Sequence, residues 1–123
     1  MKKIVFVRGE FPHRSHTLTA ALNMDADLVF EDGEFYSSSE HDNGYEVDHY
    51  LTVYSKYKHR VLEGLSRLFD GISETCGEVE DERLMWALAR IASSNHWQSL
   101  GEIEDWLTAH GIPFTAQKRV DFK

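Results

Sequence analysis

The order of apolar and polar residues divides the chain into elements before any other property is needed. Ile4-Val5-Phe6-Val7 is an unbroken apolar run with β-branched side chains, the pattern of a strand buried on both faces, and it ends at Gly9. Leu18, Ala21 and Leu22 share one side of a helical wheel, which predicts a short helix over residues 17–22. A second strand follows at Asp27-Leu28-Val29-Phe30-Glu31. The Asp32-Gly33 pair then reads as a type I′ turn, because both residues tolerate positive φ, so Glu34-Phe35-Tyr36 is expected to return antiparallel. Residues 37–44, SSSEHDNG, hold no apolar side chain and read as an exposed loop.

From Val47 the apolar positions Leu51, Tyr54, Tyr57, Val61, Leu65, Leu68 and Ile72 step by three and four, which predicts one long helix weakened at Gly64. After a break at Thr75-Cys76-Gly77, Leu84, Met85, Leu88, Ile91 and Ala92 predict a second helix that ends in Ser93-Ser94-Asn95 and packs on the first as an antiparallel hairpin. A third helix starts with a capping box, Ser99 and Glu102, and stops at Gly111-Ile112-Pro113, where glycine supplies a left-handed cap and proline blocks continuation. Phe114, Ala116, Val120 and Phe122 then alternate with polar residues as a half-buried closing strand, with Lys118 a misfit on its inner face. The order predicts an α+β fold. A small sheet of N-terminal strand, β-hairpin and C-terminal strand carries three main helices on one face, all in a single domain spanning 1–123.

Composition narrows the class. The chain has 123 residues, 41% of them hydrophobic, enough for one core. No apolar run approaches the roughly 18 residues of a membrane span, and the N-terminus lacks a signal-peptide layout, so no membrane association is expected. The lone Cys76 excludes an internal disulfide and a thiolate zinc site, which suits a reducing cytoplasm. The net charge of −8 is laid out in blocks: nine carboxylates and no Lys or Arg between residues 21 and 50, and a second acidic stretch over 71–105, separated by mildly basic segments. Direct binding to DNA or RNA is disfavoured, since that needs clustered cations. An acidic face that docks on a basic protein fits better.

Candidate chemistry centres on His13-Arg14-Ser15-His16. Where a strand passes into a helix, helix-terminal amides, Arg8, Arg14 and the imidazoles of His13 and His16 would favour a phosphate. Gly9, Pro12, His13 and His16 resemble the HxGH signature of nucleotidylyltransferases, with Ser15 in place of the glycine. The resemblance covers about residues 4–30 and implies a nucleotide-handling loop with His16 on a helix. His41, Asp42, Asp48 and His49 bracket the acidic loop, but none of them has the i, i+4 spacing that brings two ligands to one ion, so no metal or other cofactor is expected. Ser37, His41 and Asp42, or Cys76 with a histidine, form no elbow that would present a nucleophile.

The reading that results is a small acidic interaction protein. It is expected to be a regulator or inhibitor of the phage-encoded or immunity type that binds a basic protein or a nucleic-acid-binding partner and is itself not an enzyme. The expected contacts are the loop over 32–48, with Asp32, Glu34, Glu40, Asp42, Glu46 and Asp48, and the acidic turn with Glu78, Glu80 and Asp81. Trp86 on the second helix is a candidate anchor beside the second acidic stretch, Trp97 at a helix end is either a lid on the core or a further anchor, and Trp106 lies on the apolar stripe of the third helix. The alternative is a small phosphate- or nucleotide-binding enzyme using Arg8, His13, Arg14 and His16.

Overall fold

In the computed structural model, residues 3–12, 14–37, 44–68 and 80–122 are described. Five antiparallel strands form one sheet in the order β1-β2-β3-β4-β5: β1 (Lys3–Phe11), β2 (Arg14–Leu22), β3 (Leu28–Tyr36), β4 (Tyr45–Val53) and β5 (Thr115–Phe122). Between β4 and β5 come a 3₁₀ turn (Ser55–Tyr57) and three helices among the described residues, α1 (Lys58–Ser66), α2 (Glu80–Ser93) and α3 (Leu100–Ala109). The fold is α+β with a small sheet.

Three predicted elements give way to this meander. Residues 17–22 are strand, because His16, Leu18, Ala20 and Leu22 also satisfy a period of two and the neighbouring strands supply backbone partners on both sides. Asp32-Gly33 is not a turn. Gly33 sits mid-strand between Thr17 and Asp48, and a Cβ there would lie 3.0 Å from Asp48 Oδ1 and 3.2 Å from Thr17 Oγ1, so glycine serves close approach. Residues 47–53 are strand as well, since Val47, Leu51 and Val53 alternate as readily as they step by four, and the helix begins only after Tyr54. The break at residues 75–77 and the helical reading of Ile72 lie outside the described residues.

The real turns use other residues. Asn23 Oδ1 accepts the amides of Asp25 and Asp27 at 2.9 Å, an Asx arrangement that reverses the chain between β2 and β3 with Ala26 at φ 62°. Gly44, at φ 78°, leads into β4.

Cross-strand partners share a face, so the register assigns every side chain to one of two faces. Ile4, Leu18, Ala20, Leu28, Phe30, Leu51 and Val53 lie on one, the core face, and join a single cluster with Val61 and Leu65 of α1, Leu84, Leu88 and Ile91 of α2, and Ile103 and Leu107 of α3. Phe6 enters the same cluster because a bulge between Val5 and Val7 inserts one extra residue. The strand expected to be buried on both faces is thus an edge strand, with Val5 exposed. The closing strand is also an edge, exposed along most of its length, so Lys118 is no misfit.

Helix ends follow the sequence closely. Ser99 Oγ accepts the Glu102 amide at 3.2 Å. Gly111 at φ 65° closes α3 with paired bonds, Ile112 N–H to Leu107 O and Gly111 N–H to Thr108 O. Asn95 at φ 54° closes α2 by the same two-bond pattern. Lys58 Nζ, almost fully buried, donates to Asp81 Oδ1 at 2.6 Å and so joins the first turns of α1 and α2. An antiparallel helix hairpin would have set the start of one against the end of the other.

Candidate functional site

Beyond the helical cluster, the core face of the sheet continues toward the β1–β2 and β3–β4 connections, and there polar and aromatic side chains join the aliphatic ones. The last register row runs Arg14, Tyr36, Tyr45, Phe122 across β2 to β5. Tyr36 and Tyr45 stack at 5.3 Å between ring centroids, Phe122 lies 6.0 Å from Tyr45, and the Arg14 guanidinium sits 5.7 Å from the centre of the Tyr36 ring. Tyr45 is 39% exposed and Phe122 79% exposed, so ring faces stay available at the end of the row. One row inward are His16, Glu34, Val47 and Val120, and then Leu18, Asp32, His49 and Lys118. His16 Nε2 lies 2.9 Å from Asp32 Oδ1, and Glu34 completes a close group with them.

The opposite face at this end holds Glu46 and Asp48 of β4, with Glu31 and Tyr50 one row away. Asp48 is buried, and its Oδ1 has no hydrogen-bond partner among the described residues. Burial raises its pKa, and repulsion from Glu46 and Glu31 together with a hydrogen bond to Glu46 raises it further, against a smaller pull from Arg119. Tyr50 is raised as well, by burial first, then by Glu31 and Asp48 and by a hydrogen bond to Glu31.

The residues singled out in the sequence are regrouped by this geometry. Asp32 and Glu34 share a face with Arg14 and His16, whereas Arg8 points to the other face with Glu46 and Asp48. The expected anion cradle of Arg8, Arg14 and His16 is therefore divided between two faces, and His16 is committed to a carboxylate. The HxGH likeness fails on the same ground: β1 turns directly into β2, which puts His16 on a strand. Glu80 and Asp81 occupy the first turn of α2, where they favour the helix dipole, and Asp81 is held by Lys58. Trp86 is 39% exposed on α2 with Arg90 over its ring. Trp97 is 2% exposed and packs against Phe6, Phe30 and Trp106, so it is a lid on the core and offers no contact surface. His13, Glu40, Asp42 and Glu78 lie outside the described residues.

Tyr36, Tyr45 and Phe122 were not found from sequence. Each is simply the terminal residue of a segment, and only the strand register reveals that the three stand side by side. Comparison of the chain with family models, curated proteins and solved structures gives no match, so the function rests on the site itself.

Proposed function

We propose that the protein is a regulator or inhibitor of the immunity type that acts by binding a basic protein, with the open end of its sheet as the contact surface. The observation that carries this reading is the row Tyr36–Tyr45–Phe122, an aromatic strip exposed at Tyr45 and Phe122, with Asp32 and Glu34 within two register rows. Aromatic faces bordered by carboxylates suit arginine side chains, which stack on rings and pair with carboxylates at once. Arg14 over Tyr36 is an intramolecular instance of the same contact. Aromatic anchors that a partner covers, with charged surroundings, are also the layout that concentrates binding energy in a few residues.

The test is capture of partners from a native lysate with the tagged wild-type chain and with the double variant Tyr45→Ala/Phe122→Ala. Both side chains are exposed, so the variant keeps its melting temperature within a few degrees. The expected result is a basic protein retained stoichiometrically by the wild type and weakened on the order of 10- to 100-fold in the variant, as for the loss of two anchor residues. Equal retention by both proteins would remove the aromatic row from the interface.

A further inference from the structure

We propose that His16, Asp32 and Glu34 form a binding site for a divalent transition-metal ion of the zinc class. The three side chains each offer a ligand atom, and these atoms all lie within 4.8 Å of one another. They converge because of the register: His16 on β2 stands directly opposite Glu34 on β3, and Asp32 precedes Glu34 by two residues on the same face. Both strands are paired on each side, so the ligand-bearing backbone is fixed before any ion arrives.

An ordinary histidine–aspartate pair accounts for the 2.9 Å contact between His16 Nε2 and Asp32 Oδ1. It does not account for Glu34. A second carboxylate is held beside the first, and among the described residues no Lys or Arg lies within ion-pair distance of either. Gly9, across from His16 on β1, adds no side chain to the row, which leaves the imidazole accessible from that edge. The side chains of His16 and Asp32 are 20% and 14% exposed, partly withdrawn from water yet open to an ion from solvent.

Donor chemistry selects the metal. One imidazole and two carboxylates, with no thiolate, match zinc and its neighbours, whereas calcium and magnesium prefer all-oxygen shells. His16 Nε2 and Asp32 Oδ1, 2.9 Å apart, already stand about as close as two ligands of one zinc ion, so a rotamer shift of Glu34 seats the ion. Three protein ligands leave a fourth position toward solvent, where water or a donor from another molecule completes the shell. The site does not depend on the partner-binding reading.

The experiment is calorimetric titration of the full chain, stripped of metal with a chelator, using zinc chloride, alongside cobalt(II) absorption as a probe of ligand type. The expected result is one zinc equivalent bound, with a cobalt spectrum of nitrogen and oxygen ligation and no thiolate charge-transfer band. Binding weakens at least about 10- to 100-fold in His16→Ala and in Glu34→Gln, as when a metal site loses part of its support. It is unchanged in His59→Ala, a control for exposed histidines elsewhere. Circular dichroism checks that each variant is folded, and Glu34→Gln preserves the side-chain shape that His16→Ala removes. Failure of the wild-type chain to bind zinc, or retention of wild-type affinity in folded Glu34→Gln, overturns the site.

Discussion

Asp48 shows at the scale of one residue how the sheet sets a charge against the fold. It is buried on the face away from the core cluster, beside Glu46 and Glu31, and its carboxyl is raised above the ordinary 3.8. A carboxyl whose native pKa lies above its unfolded one binds more protons when folded, so its contribution to stability falls as pH rises through the window between the two values. At neutral pH the full penalty applies. Asp48→Asn keeps the shape, can donate to Glu46 and removes the charge, so it is expected to melt above the wild type at pH 7. The difference should narrow as pH drops toward 4. Parallel melting curves across that range, or a variant less stable at pH 7, would show that Asp48 is better accommodated than its surroundings imply.

Among the helices, α1 and α3 meet at a glycine chosen for space. Helix propensity alone would make Gly64→Ala stabilising by about 1 kcal/mol. A Cβ at Gly64, however, would lie 2.7 Å from two carbons of the Trp106 indole. That ring is held between Trp97 and His110, with centroids 5.4 and 4.3 Å away, so it has little freedom to retreat. Overpacking of this kind costs about 1–3 kcal/mol and outweighs the propensity gain. The expected outcome is a net loss and a fall in melting temperature of about 3–5 °C; a rise would mean that the indole shifts freely. Element ends behave more simply, because the Ser99 cap and the Gly111 and Asn95 closures depend only on neighbours a few residues away.

At the scale of the whole molecule, a net charge of −8 acts on association over distances longer than any contact. If the partner is basic, the association rate should fall steeply between low salt and 0.15 M ionic strength, where the screening length shrinks to about 8 Å, while the dissociation rate changes little. Stopped-flow or surface kinetics on the captured complex would check this, and a salt-independent rate would exclude electrostatic steering. Charge reversal at Glu80 probes the α2 turn cleanly. Reversal at Asp81 would break its bond to the buried Lys58 and confound binding with stability.

Local chemistry and sequence-adjacent patterns are legible in the chain itself: the α+β class, the position of the second and third helices, the Ser99 cap, the helix stops and the closing strand. Each depends on residues within one or two turns of each other. Residues 17–22 and 47–53 fit helix and strand alike, because their apolar spacing satisfies both a period of two and steps of three to four, and only strand partners distant in sequence decide between them. The Asp32-Gly33 pair carries the chemistry of a turn, yet here it is the middle of β3, where glycine makes room for Asp48. That single difference places Asp32 and Glu34 on one face opposite His16. Composition therefore determined that the molecule is small and acidic, while the sheet register alone decided which of its charges and rings stand together.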